Sequence, residues 1–173
     1  NYFHILRRLV HRDYRKPLVL MTPKSLLRHK LCTSKVDDFT NGSSFHRVLW
    51  DDAEKGNSTT KLVKDTEIKR VIMCSGKVYY DLLEERDARE LNDVYLLRFE
   101  QFYPFPAMSA VKELERFKNA EMVWCQEEPM NQGAWFQSQH HMLNAMWRHL
   151  PNKFLRYAGR HAAATPAAAG SAA

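Results

Sequence analysis

The feature that most constrains the fold is a regular alternation of short apolar runs with longer, charged segments. Val71-Ile72-Met73-Cys74, Val94-Tyr95-Leu96-Leu97 and Met122-Val123-Trp124-Cys125 are all of strand length. None alternates apolar with polar, which predicts strands buried on both faces, as in a parallel sheet. Between them, residues 78–90 bring Val78, Tyr79, Leu82 and Leu83 toward one helical face, and residues 107–118 do the same with Met108, Val111, Leu114 and Phe117. Residues 134–148 carry Phe136, Leu143, Met146 and Trp147 on a third such face, and Phe154 to Tyr157 has the length of a fourth strand. Strands joined through helices by short links make an α/β layered fold with a largely parallel sheet and right-handed crossovers.

The ends of the chain are less regular. Residues 2–12 space Phe3, Leu6 and Val10 as a helix, and Arg15-Lys16-Pro17 breaks it. Leu18-Val19-Leu20-Met21 reads as one more buried strand, and Lys24 to Lys30 as a short helical segment. Residues 33–67 read as a connection with a peripheral hairpin, turning at Asn41-Gly42. Within it, Asp51 to Thr60, with Lys55-Gly56-Asn57-Ser58, reads as a solvated loop. The tail from Ala162 to Ala173 is Ala-rich and has no amphipathic pattern. The first residue is Asn1, and the opening stretch lacks a signal-peptide cleavage site, so the chain reads as cut from something longer.

Charge narrows the function classes. Residues 1–35 hold nine Lys/Arg and one Asp, while the rest of the chain holds 17 basic and 19 acidic residues. The net charge of +6 therefore belongs to the N-terminal fifth, not to the whole domain. That weakens a nucleic-acid reading, as do aromatic residues that sit in core-like patterns and not interleaved with Lys/Arg as stacking platforms. No apolar run approaches the ~20 residues that span a bilayer. The three cysteines, Cys32, Cys74 and Cys125, are widely spaced without a CxxC pair, and read as reduced thiols with no zinc or redox motif.

Local motifs give little chemistry. Cys74-Ser75-Gly76-Lys77 is similar to a phosphate loop in joining strand to helix, but lacks the first glycine and the spacing of a Walker A motif; a tight turn capped by Ser75 is the plainer reading. Glu127-Glu128-Pro129 follows a strand at the crest where α/β sites form. Acid/base work and simple helix-start stabilisation both fit that pair. His140-His141 are adjacent on a helix, about 100° apart, and cannot chelate one metal together. The basic residues Arg15, Lys16, Lys24 and Arg28 flank an apolar run and suit either phosphate groups or an acidic neighbouring domain. From the residues alone, this is an α/β domain without visible catalytic machinery.

Five strings add a resemblance. RKPLVLMTPKSLLRHK (15–30), CSGKVYYDLLEER (74–86), EQFYPFP (100–106), VWCQEEPMNQGAW (123–135) and RYAGR (156–160), in this order and spacing, resemble the C-terminal region of the thiamine diphosphate-dependent decarboxylase component of 2-oxoglutarate dehydrogenase. The resemblance covers nearly the whole chain apart from 48–67. It implies a homodimeric parent with transketolase-like architecture, which decarboxylates 2-oxoglutarate in the tricarboxylic acid cycle. The parent passes the succinyl group to a lipoyl arm on the dihydrolipoyl succinyltransferase core.

On that resemblance, residues 1–23 are the tail of the pyrimidine-binding domain and 24–173 the C-terminal transketolase-like domain, an α/β three-layer unit with a mainly parallel sheet. The latter divides into a linker and hairpin (24–67), a core (68–160) and a truncated flexible tail (161–173). Thiamine diphosphate and magnesium bind outside the fragment, no catalytic residue lies within it, and the fragment alone is expected to be inactive. Relatives carry an allosteric nucleotide or acyl-coenzyme A site near the junction of the last two domains. The expected phosphate contacts to AMP or acetyl-CoA are Arg15, Lys16, Lys24 and Arg28. No nucleic-acid or membrane partner is implied. The expected location is the bacterial cytoplasm, with the mitochondrial matrix as the alternative. A 2-oxoadipate-type relative and a free-standing nucleotide or acyl-CoA module remain alternatives.

Overall fold

A computed structural model of the chain describes residues 1–40, 42–56 and 58–165, in two compact units, Asn1–Arg47 and Val48 onward. The second unit is built on a five-stranded sheet. Its strands are β1 (Val48–Leu49), β2 (Arg70–Cys74), β3 (Val94–Phe99), β4 (Glu121–Pro129) and β5 (Leu155–Arg160), in the spatial order β1-β3-β2-β4-β5. β3, β2, β4 and β5 are mutually parallel, and β1 pairs antiparallel with β3. The helices α2 (Val78–Ala88), α3 (Ala107–Leu114) and α4 (Gly133–His149) make the crossovers.

The pleat sorts the buried strand residues onto two faces. Val71, Met73, Tyr95, Leu97, Phe99, Met122 and Trp124 share one core cluster with Ala110 and Leu114 of α3 and with Met142 and Met146 of α4. The alternate positions face the other way. There the Arg98 guanidinium lies over the rings of Tyr79 and Tyr80 of α2, 4.4 and 5.6 Å from their centroids. The chain steps from β2 to one side and then returns past it to β4, so right-handed crossovers put α2 on one face and α3 and α4 on the other. This is the three-layer, mainly parallel α/β architecture expected from the sequence.

Several local expectations need correction. α4 does not bury Phe136, Leu143 and Trp147, which are 54%, 46% and 80% exposed; Trp135, Ser138, Met142, Ala145 and Met146 face the core. The cause is an anchor at the helix start. Gln126 in β4 accepts the Trp135 N–H at 2.8 Å, which fixes the rotation of α4 about one residue away from the reading by apolar count. Met108 likewise faces solvent on α3, which ends at Leu114. β4 runs on to Pro129, so Glu127 and Glu128 lie within the strand and not after it; β5 covers Leu155–Arg160.

No hairpin forms over 33–67 among the described residues. Asn41 and Asn57 lie outside them; Gly42 takes a φ of +87°. The expected solvated loop 51–60 is instead strapped to the domain. Asp51 is fully buried and pairs with Arg86, itself only 2% exposed. Asp51 also accepts the Leu96 N–H at 2.7 Å and the Ala53 N–H at 2.9 Å. Tyr79 Oη accepts the Asp52 N–H at 3.2 Å and donates to its carboxylate at 2.9 Å. Arg116 adds ion pairs to Glu54 and Asp65.

In the first unit, α1 (Tyr2–His11) is held by reciprocal hydrogen bonds between the Asn1 amide and the His46 backbone, at 2.8 and 2.9 Å. Phe39 packs edge-on against Phe3, with centroids 5.1 Å apart. Leu18–Met21 is not a strand: Val19 is 79% and Met21 92% exposed. An apolar run becomes a strand only beside another strand, and no strand among the described residues pairs with it. The expected tail beyond Thr165 lies outside the described residues.

The strap can be tested at two of its acids. Asp51→Ala leaves Arg86 buried without its carboxylate and is expected to cost about 3–5 kcal/mol in urea unfolding, more than an Asp51→Leu, Arg86→Met double variant, which removes both charges. Acid sensitivity is expected at Asp87. Burial alone would push its carboxyl up, but the Thr60 and Ser58 hydroxyls and the Arg86 guanidinium outweigh that and hold it below its ordinary value. Its folded pKa is depressed, so its stabilisation is present above the ordinary carboxylate range and lost as pH falls through the folded value. Asp87→Asn should therefore flatten the acid limb of a stability–pH profile.

Candidate anion-binding site

Positive charge gathers on α1. His4, Arg7, Arg8 and His11, at helical spacing, line a cleft of about 700 Å³ with Arg12, Asp13 and Phe45. Arg7 is braced by its hydrogen bond to the Ser43 carbonyl at 2.7 Å and lies over the Phe3 ring. His4 is buried, and its Nδ1 has no hydrogen-bond partner. Burial and then the adjacent Arg7 guanidinium hold the His4 imidazole below its usual pKa, against the hydrogen bond that the ring donates to the Asp38 backbone. A neutral imidazole beside three guanidinium groups can take a proton when an anion enters and then donate to it.

The residues expected from the sequence stand elsewhere. Arg15 turns back onto the carbonyls of Arg12 and Tyr14, and Lys16 lies 5.6 Å from the centroid of the Tyr14 ring. Lys24 opens and Arg28 closes a 3-10 turn, both exposed. None of the four lines the α1 cleft.

At the carboxyl ends of the strands the direction of winding reverses between β2 and β4, the crest where α/β domains place their ligands. There Lys77 pairs with Asp81 at 2.8 Å and Glu127 at 3.1 Å. Glu128 packs on Gly133, whose φ of +65° suits glycine; a Cβ there would meet the Glu128 side chain at 3.0 Å. Gln126 donates to the carbonyls of Glu128, Pro129 and Gln132. Lys77 precedes α2 and Gly76 takes a φ of +73°; Ser75 provides no side-chain cap. His140 and His141 have ring centroids 4.0 Å apart, and His141 stacks on Phe105. The described residues hold no group of three or more His, Cys, Asp or Glu side chains placed to take a metal ion. Nor is any described helix long and apolar enough to cross a membrane.

A mostly parallel sheet with helices on both faces, entered through a strapped connection, defines an α/β domain of the transketolase-like C-terminal type. Residues 33–173 match the family described as 2-oxoglutarate dehydrogenase C-terminal. The 2-oxoglutarate dehydrogenase E1 components of Brucella anthropi and Brucella ovis are each 58% identical to the chain over 170 residues, which is 96% of this chain and 17% of the relative. The chain belongs to the 2-oxoglutarate dehydrogenase C-terminal family, and spans about a sixth of the length of these relatives.

The thiols give a direct check on burial. Cys32 is exposed, whereas Cys74 is fully buried and its thiol is pushed far up by that burial. An aromatic disulfide reagent is expected to modify Cys32 under native conditions and Cys74 only after denaturation.

Proposed function

We propose that this chain is the C-terminal, non-catalytic and regulatory portion of a thiamine diphosphate-dependent decarboxylase that oxidatively decarboxylates 2-oxoglutarate. The observation that carries the reading is identity of 58% across almost the whole chain to proteins named 2-oxoglutarate dehydrogenase E1 component. The full-length protein passes its succinyl group to lipoyl groups of a dihydrolipoyl succinyltransferase core, in the tricarboxylic acid cycle. It acts as a homodimer in the bacterial cytoplasm. Thiamine diphosphate and magnesium bind outside these residues. Support for that placement is that Glu127 at the sheet crest is engaged by Lys77.

The regulatory half of the reading rests on the α1 cleft. Three guanidinium groups and a buried imidazole whose Nδ1 has no partner suit the phosphates of AMP or acetyl-CoA. Calorimetry on the full-length protein is the test. Arg8→Ala with Arg12→Ala is expected to weaken AMP or acetyl-CoA binding about tenfold or more, and Arg28→Ala to change it little. Equal affinity in all variants would remove the cleft from the account. The His4 pKa starts low and an anion favours its protonated form, so binding should tighten as pH falls through the imidazole range, and His4→Gln should weaken that dependence.

A further inference from the structure

The α3–α4 surface carries cationic groups that neither the α1 cleft nor the sheet crest uses. Phe105, Met108, His141, Asn144, Arg148 and His149 line a cleft of about 320 Å³. Its walls differ in chemistry. Phe105, stacked on His141, and Met108, 64% exposed, form an apolar side. Arg148 and His149 supply a basic side from α4, a helix with no Asp or Glu in its 17 residues. Further round α4, the exposed Phe136, Leu143 and Trp147 recur at helical spacing.

Arg148 differs from six other arginines of its unit. Arg70, Arg86, Arg89, Arg98, Arg116 and Arg156 each pair with a carboxylate. Arg148 makes no ion pair or hydrogen bond among the described residues. An exposed arginine that pairs with no carboxylate of its own unit, set between a cleft and a row of large apolar side chains, is the pattern of an interface anchor. A second copy of α4 does not fit it. A two-fold contact brings a face against itself, and a helix without acids would set Arg148 and its histidines against their own kind.

We propose that the α3–α4 surface docks an acidic segment, flanked by large apolar residues, from the same polypeptide outside these 173 residues. The proposal rests on the family reading, in which relatives are about six times as long as this chain. The docked carboxylate enters the cleft to meet Arg148, and apolar neighbours cover Leu143 and Trp147.

The test uses the full-length protein with Arg148→Lys, treated with a carbodiimide that joins a lysine amine to a touching carboxylate. Peptide mapping is expected to find position 148 linked to an Asp or Glu outside residues 1–173, in a product of single-chain mass. A Trp147→Glu change in that background is expected to lower the yield about tenfold. Position 148 left unlinked, linked within residues 1–173, or linked in a product of two-chain mass overturns the proposal, as does a yield indifferent to Trp147→Glu. A full-length protein that lacks the cross-link sinks the docking alone. A gene encoding nothing of the relatives' length sinks the family reading with it.

Discussion

Asp51 and Arg86 meet in the interior of the sheet unit, and most of what surrounds them is arranged to make that meeting tolerable. Moving a carboxylate and a guanidinium out of water costs several kcal/mol each, and burial does push the Asp51 carboxyl up. The cost is offset by hydrogen bonds that only this fold supplies. The Leu96 amide comes from β3, the Ala53 amide from the connection, and Arg86 from α2. Three elements distant in sequence are thereby fixed at one point. A pair of this kind specifies an arrangement more than it adds net stability, since an apolar pair would incur no such desolvation.

The strap built on that pair explains how a domain with a two-residue edge strand keeps its edge closed. β1 is only Val48–Leu49, too short to protect β3 by itself. The connection C-terminal to β1 is clamped by Tyr79, Tyr95, Asp87 and Arg116, so this polar segment behaves as part of the core wall. On the far side of the sheet the equivalent organiser is Gln126. Its amide nitrogen donates to the carbonyls of Glu128 and Pro129 at the end of β4 and of Gln132 beyond it, and its carbonyl accepts from Trp124 and Trp135, setting the start of α4. The rotation of α4 then decides which of its aromatic residues reach the core and which are left outward.

Sequence reading succeeded where the signal was local. The runs at 71–74, 94–97 and 122–125 became β2, β3 and the first part of β4, because four unbroken apolar residues have few alternatives once helices flank them. It failed where a distant partner decided the outcome. Asp51 to Thr60 is polar and reads as solvated, and nothing nearby announces that Arg86 will bury it. Leu18–Met21 reads as a strand and stays exposed, because pairing needs a neighbour. Phe136 and Trp147 count as apolar on a wheel, but the hydrogen bond from Trp135 to Gln126 turns them out. The charge surplus at the N-terminus was visible in the sequence, while the convergence of Arg7, Arg8 and Arg12 on one cleft was not.

By itself, then, the sequence determined the α/β class, the parallel strands and the family. Each is written in patterns of a few consecutive residues or in strings read along the chain. Tertiary structure decided which charges are buried, which helix faces are inward and which basic groups converge. Those depend on contacts such as Asp51 with Arg86, 35 positions apart, and Trp135 with Gln126, nine apart. Burial and hydrogen bonding act through space, so a pattern along the chain cannot rank the partners until the sheet has brought them together.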